Sequence, residues 1–324
     1  MAPHSPMEIV VTGSIAYDYL MTFPGSFSEH LLSEHLARLS VSFLVDSMER
    51  RRGGCAPNIA YTLALLGERP RLMGTAGRDF DEYRAWLETV GVDTSLTRVI
   101  AHKFTASFFC STDQHNNQIA SFYAGAMSDA RDLSIHDLSF KPDWVIISPN
   151  DPQAMLRYAQ ECRELGIRHI FDPGQQVARS SGEELRAGII GADILICNDY
   201  EFEIIRQKTG LTEADVLYQA EALVITRGEK GSTILLRDHR IDIPAVRTER
   251  VADPTGVGDA YRGGFLKGLA AGADWETCGR LGSVAATFAL EHIGGQSHSY
   301  TLEEFKARYE AHFGPLSISL NGTS

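Results

Sequence analysis

The sequence predicts an α/β fold: a mostly parallel sheet with helices on both faces, in one domain over residues 1–324, carrying a small β lid. Three observations lead there. Short β-rich runs alternate with longer amphipathic stretches, the pattern that β-then-α crossovers leave in a chain. Runs such as WVIIS (144–148) and DILIC (193–197) are apolar almost throughout, as in strands covered on both faces. Two stretches, 17–52 and 104–124, break the alternation and read as excursions from the sheet, which together form the lid.

In order, EIVVTGSI (8–15) reads as a buried strand. Residues 57–66 read as a helix, with Pro57 suited to a first helical position and Gly67 to the stop. RLMGTAG (71–77) is a strand, followed by a helix over 80–90 that ends at Gly91. TASFFCSTD and QIASFYAG read as two lid strands around an Asn116-Asn117 turn. Strand 143–148 then precedes helix 151–165, and strand 168–172 precedes helix 181–190. Strand 193–197 leads into a short helix near 199–207, and strand 222–226 follows. GSTILLR (231–237) and RIDIPAV (240–246) form an antiparallel hairpin through Asp238-His239. Helices over 257–271, 275–292 and 301–313 complete the chain, and the polar end from Leu316 reads as a frayed tail.

Composition excludes several classes of function. With 30 Lys+Arg against 42 Asp+Glu the formal net charge is −12, which argues against a broad grip on nucleic acid or an anionic membrane. The five cysteines contain no C-x-x-C pair, so reduced thiols in the cytoplasm are the expectation. The N-terminal residues do not read as a signal peptide. The sequon at Asn321-Gly-Thr323 is therefore a chance match. There is no G-x-x-x-x-G-K-S/T loop, no G-x-G-x-x-G fingerprint, no H-E-x-x-H and no G-x-S-x-G.

The most informative segment is Asp253-Pro-Thr-Gly-Val-Gly-Asp259, which runs directly into a helix. Gly256, Val257, Gly258 and Asp259 can turn their N–H groups to one point, where the helix start adds partial positive charge. Such a hole suits the charge that develops on a transferred phosphoryl group. Asp259 beside it would accept a proton from an attacking hydroxyl. Taken alone, a capped helix after a glycine turn explains the segment equally well.

DPTGVGDAYRGGF resembles the D-x-T-G-x-G-D signature of the ribokinase-like (PfkB) family of sugar and nucleoside kinases, in which the last Asp is the catalytic base. The other family features follow in order. GSIAYD (13–18) resembles the first strand and the Asp that meets the acceptor's sugar hydroxyls. RGGCAPN (52–58) resembles the glycine pair and Asn near the same sugar. Asn198-Asp-Tyr-Glu201 matches the N-x-x-E motif linked to magnesium and phosphate. Thr226-Arg227-Gly228, with Gly231, resembles the nucleotide-binding turn, and Thr255 lies in the signature itself. The resemblance covers nearly the whole chain and implies the ribokinase-like fold, ATP with Mg2+, a monovalent cation, and a homodimer paired through lid strands. Asn198 and Glu201 would meet the metal through water. Each motif also has a plainer reading: Asp18 as a loop carboxylate, Gly53-Gly54 as a turn, Asn198 and Glu201 as a helix cap, Arg50 to Arg52 as a charged surface.

The lid points to the acceptor. Strand alternation places Phe108 and Phe122 each on a defined face, and a hairpin brings both to one pocket, a stacking slot for a planar base. Such stacking contributes about 1–3 kcal/mol per base. A hydrophobic lid interface is the other reading of the same residues. TGSIAYDYLMTFPGSFSEHLL, IASFYAGAMSDAR, FDPGQQVARSSGEE and CNDYE resemble the family's bacterial adenosine kinases. That resemblance implies that Phe108 and Phe122 sandwich a purine, that Ser14, Asp18, Gly54 and Asn58 hold the ribose, and that Gln175 and Gln176 lie near the nucleoside. Pro57 and Gly174 depart from the family pattern at points that would retune base or sugar preference.

Overall fold

The computed structural model describes residues 7–30 and 40–320. Part of the 17–52 excursion, namely 31–39, and the sequon at 321–323 lie outside the described residues. The elements run β1 (Ile9–Thr12), β2 (Ala16–Thr22), α1 (Phe27–His30), β3 (Ser47–Gly53), α2 (Cys55–Leu65), β4 (Arg71–Gly77) and α3 (Asp81–Thr89). Next come β5 (Thr97–Ile100), β6 (Ala106–Thr112), β7 (Gln118–Tyr123), β8 (Trp144–Ile147), α4 (Pro152–Leu165), β9 (Arg168–Phe171) and α5 (Gly182–Ile189). The rest are β10 (Ile194–Asn198), α6 (Asp199–Thr209), α7 (Glu213–Gln219), β11 (Ala222–Thr226), β12 (Ser232–Leu235), β13 (Arg240–Ile243), α8 (Val257–Ala270), α9 (Trp275–Leu290) and α10 (Leu302–Phe313).

Among the described residues the main sheet has the order β13-β12-β11-β10-β9-β8-β1-β4-β5, parallel except where β12 pairs with β11 and β13. Its central strands are buried on both faces, and alternate residues feed two cores. Val10, Leu195, Cys197 and Leu223 pack with α4 to α7, through Tyr158, Leu185, Ile205 and Val216. Ile9, Val11, Ile194, Ile196 and Val224 pack on the other face with α2, α3, α8 and α9, through Ile59, Tyr83, Phe265 and Cys278. The two-sided burial read from the apolar runs is therefore present in the central strands, while the edge strands β5 and β13 are partly exposed.

A second sheet, ordered β3-β2-β6-β7, is the lid, built from the two excursions. β2 pairs with β3 antiparallel and with β6 in parallel, and β6 forms a hairpin with β7 whose turn carries Asn116 at φ 63.

Several boundaries differ from the sequence expectation. The run 8–15 is not one strand: the chain leaves the main sheet at Gly13 and enters the lid at Ala16. Both halves are apolar, so hydropathy gives no sign of the break. Helix α2 begins at Cys55, which puts Pro57 third rather than first in the helix. Proline fits there because the first-turn N–H groups have no partner one turn back. β5 and α7, which had no strong periodicity, are added. The described part of the tail is not frayed. Leu320 is buried, and Leu316 and Ile318 pack against the cluster of α9 and α10 that holds Phe288, Tyr300 and Phe305.

The strand order reverses at β1, which lies between β8 and β4. A crevice opens at such a point beyond the carboxyl ends of the strands. Ser14, just after β1, donates its N–H to the Pro149 carbonyl just after β8, at 2.8 Å. The lid stands over this place.

Candidate active site

A cavity of about 470 Å3 occupies the crevice, lined by Ser14, Asp18, Gly54, Asn58, Phe108, Phe122, Gln175, Gln176, Thr255, Gly256 and Asp259, with Ala16, Cys55, Met127, Pro149 and Arg179. All eight residues expected at the acceptor line it, together with three from the glycine segment. They come from elements more than 200 positions apart in sequence.

The lid wall follows from strand register. Asp18 lies opposite Phe108 on β6, and Phe108 lies opposite Phe122 on β7, so the three side chains share one face of the lid sheet. Phe122 keeps 42% of its surface exposed, and so offers an open ring face rather than a packed one. Burial pushes the Asp18 carboxyl up to about 6, against the pull of Arg51 and with the repulsion of Asp253.

The floor is set by the turn into α2. Gly54 has φ 96, and a Cβ there would stand 2.4 Å from the Ser14 carbonyl oxygen, so only glycine lets the two loops meet. Ser14 Oγ accepts the Cys55 N–H at 3.3 Å. From the first turn of α2, Asn58 Nδ2 donates to Asp259 Oδ2 at 2.9 Å. Gln176 spends its Nε2 on the Asn150 carbonyl at 2.7 Å and so shapes the wall, whereas Gln175 is exposed to the cavity.

Asp259 sits in the first turn of α8, after Gly256 at φ 77. A Cβ on Gly256 would meet Gly295 Cα at 2.6 Å, so this turn also requires glycine. The N–H groups of the first turn have no carbonyl one turn back. Val257 is an exception to the expected hole: its N–H turns back to the Pro254 carbonyl at 3.3 Å. Among the described residues, the N–H groups of this turn left without a backbone partner are thus those of Gly256, Gly258 and Asp259. Asp253 braces the segment, with Oδ1 accepting the Thr255 N–H and Oδ2 the Gly294 N–H, both at 2.9 Å.

Under the site lies a pair that sequence reasoning missed. Arg262, one turn after Asp259, makes a two-pronged ion pair with Asp172, with a guanidinium-to-Oδ1 distance of 2.7 Å, and donates to the Gly258 carbonyl at 3.0 Å. Both are buried. The available signals were the three-residue spacing from Asp259 and the Asp that opens the DPGQQ stretch. Burial pushes the Asp259 carboxyl up to about 7; the Asn58 hydrogen bond and Arg262 oppose this, while Asp172 and Glu201 add to it. Burial also raises Asp172, in spite of Arg262, and raises Glu201, with Asp172 adding to the effect.

Asn198 and Glu201 do not line the cavity. They form a reciprocal capping box at the start of α6, each accepting the other's backbone N–H at 2.7 Å. Asn198 pairs in register with Thr226 at the carboxyl ends of β10 and β11. Beyond Thr226, Arg227 N–H donates to the Gly231 carbonyl at 2.8 Å, and Gly231 N–H to that of Gly228 at 3.0 Å, closing a tight turn. These residues share the carboxyl ends of β10 and β11 and do not line the cavity. Arg50 pairs with Glu82 at 2.5 Å, Arg51 with Glu49 at 2.7 Å, and the Arg52 guanidinium lies 4.6 Å from the Trp86 ring centre. None of the three lines the cavity.

The pattern of the pfkB family carbohydrate kinases matches residues 9–302. A nucleoside kinase of Methanocaldococcus jannaschii is 31% identical over 307 residues, covering 94% of this chain and 97% of that one. The solved structure of Burkholderia thailandensis nucleoside kinase in complex with inosine is 41% identical, with a TM-score of 0.84, covering 94% of this chain and 98% of that one. The adenosine kinase of Sinorhizobium meliloti superposes with a TM-score of 0.70 over 90% of this chain and 96% of that one. At 21% identity that likeness is one of fold.

Proposed function

The chain belongs to the pfkB family of carbohydrate kinases, and within it we propose a nucleoside kinase that transfers the γ-phosphoryl group of ATP to the 5′-hydroxyl of adenosine, giving AMP and ADP. One observation carries this reading: the in-register pair Phe108 and Phe122, the Asp18 carboxylate and the Asn58-held Asp259 carboxylate all face a single cavity. A base lies between aromatic faces, ribose hydroxyls meet Asp18, Asn58, Ser14 and the Gly54 backbone, and the 5′-hydroxyl reaches Asp259.

Asp259 takes the hydroxyl proton as oxygen attacks the γ-phosphorus. A carboxyl raised to about 7 suits a base working near neutral pH. The N–H groups at the start of α8 stabilise the charge on the phosphoryl oxygens. Lid closure over the cavity excludes water and limits ATP hydrolysis.

Among the described residues no three His, Cys, Asp or Glu side chains converge on one point, so a magnesium ion here would arrive with the nucleotide rather than be held by the protein alone. The charges fit it too, because Asp172, Glu201 and Asp259 act on one another around the single Arg262. Glu201 Oε1, outside the capping box, and the second lone pair of Asn198 Oδ1 would hold that ion through water. When bound it neutralises charge on the phosphate oxygens. The Thr226 to Gly231 turn and Thr255 would receive ATP.

Arg50, Arg51 and Arg52 do not line the cavity, but Arg179 does, so the fructose 6-phosphate arm of the activity assay decides for or against a phosphosugar acceptor. Inosine is the second reading, supported by the inosine complex of the Burkholderia enzyme. The exposed Gln175 amide, which offers donor and acceptor alike, can serve either purine. The same reading includes a cytoplasmic homodimer joined through the lid, where every residue of β7 is exposed, Ile119, Phe122 and Tyr123 among them. Among the described residues no helix is long and apolar enough to cross a membrane. Sedimentation tests the dimer. ADP release with adenosine, inosine, cytidine, ribose, fructose and fructose 6-phosphate tests the activity. Turnover of a purine nucleoside above the sugars is expected, and a preferred sugar, or no turnover of any, overturns it.

A further inference from the structure

A buried chain of hydrogen bonds leads to Asp259 from the far side of α2, and its direction is fixed at one end. The Tyr83 hydroxyl donates to the Gly53 carbonyl at 2.9 Å. A carbonyl cannot donate, so the phenol oxygen has only acceptor capacity left for its other neighbour, Gln296. Gln296 must therefore turn Nε2, not Oε1, toward Tyr83. The same Nε2 reaches Asn58 at 2.9 Å, which requires Oδ1 of Asn58 on that side. Asn58 is then left with Nδ2 toward Asp259 Oδ2, at 2.9 Å. Tyr83, Gln296 and Asn58 are all more than nine-tenths buried, so water does not substitute for any link. Gln296 Oε1 has no partner among the described residues, a cost borne by this orientation.

We infer that Gln296 is a positioning residue for phosphoryl transfer: it locks the Asn58 amide so that its N–H, and never its carbonyl, faces the Asp259 carboxylate. The inference rests on the reading of Asp259 as the base. Held this way, Asn58 stabilises the ionised carboxylate that can take a proton. Turned over, it would present an oxygen and favour the protonated acid, which cannot. The other groups acting on Asp259 are Arg262, in its favour, and Asp172 and Glu201, against it. None of them touches Asn58, so the amide is an independent control.

The test is Gln296→Glu. The introduced carboxylate accepts where Nε2 donated, so Asn58 turns Nδ2 to it and its oxygen to Asp259. The inflection of the kcat–pH profile is expected to move up by about one pH unit. Turnover at pH 7 would then fall roughly fivefold and recover at higher pH. Gln296→Met keeps the volume without the bonds, and guards against misfolding as the cause. Its expected profile is an upward shift of smaller size, with circular dichroism unchanged. A uniform loss at every pH in both variants, or an unmoved inflection, overturns the inference while leaving the kinase reading intact. An inactive wild-type protein, or a fully active Asp259→Asn, overturns the kinase reading first.

Discussion

Asp259→Asn separates catalysis from stability in one substitution, because the structure predicts that they move in opposite directions. The change keeps the shape of the side chain, and Asn58 Nδ2 can still donate to the remaining carbonyl oxygen. Loss of the base should lower kcat by about 10²–10⁴, equivalent to roughly 3–5 kcal/mol of barrier. The stability term follows from proton linkage. The carboxyl stands at about 7 in the fold against a usual 3.8, so the folded chain binds its proton more tightly than the unfolded chain. Stability therefore falls as pH rises from about 4 to about 7, and stays low above that. At about 1.36 kcal/mol per pH unit this amounts to roughly 4 kcal/mol. Solvent entering the open cavity screens the charge, so ~1–3 kcal/mol is the expected size. The variant should thus be more stable than the wild type at pH 8, by a margin that shrinks toward pH 5. Urea unfolding at both pH values, beside ADP release with adenosine, measures both effects. Turnover within tenfold of wild type, or a variant less stable at pH 8, would refute the reasoning.

Three further outcomes follow from the same geometry. Phe122→Ala removes one face of the stacking slot, so the adenosine KM should rise by about 5- to 100-fold with the ATP KM nearly unchanged. Equal rises in both would remove the stacking argument. Arg262→Met leaves Asp172 buried without its counter-charge and should cost about 3–5 kcal/mol in urea unfolding. A loss below about 1 kcal/mol would show that the pair matters little to the fold. Gly54→Ala forces a Cβ to within 2.4 Å of the Ser14 carbonyl at φ 96, so nucleoside binding should be lost in isothermal titration; an unchanged affinity would show that the loop can shift.

The elements with strong signals were legible because their signals are local. Strands buried on both faces need unbroken apolar runs, so β8 and β10 stood out. The lid hairpin was legible from alternation around Asn116-Asn117, down to the facing of Phe108 and Phe122. Where a local signal was weak, the reading lapsed. β5 is four residues long with an irregular burial pattern, and α7 has seven. The break at Gly13 was hidden because both sheets bury the residues on either side of it. At the site, Asn198, Glu201 and the Thr226 to Gly231 turn lie outside the cavity; the motifs named the acceptor-side residues that line it, but not Ala16, Cys55, Met127, Pro149 or Arg179. They did not reveal Asp172, Arg262 or Gln296, whose partners lie 90 to 238 positions away.

By itself, then, the amino-acid sequence determined the alternation of elements, the glycine turn before Asp259 and the set of side chains with the right chemistry. Only the tertiary structure decided their electrical state. A carboxylate carries no sign in its local sequence that it will sit near 7 rather than 3.8, because that depends on how much water, which charges and which amide orientation the rest of the chain places around it. Asn58 donates to Asp259 because of a carbonyl at Gly53 and a glutamine at 296, and only the packing of α2, α3 and the loop after α9 brings those three together.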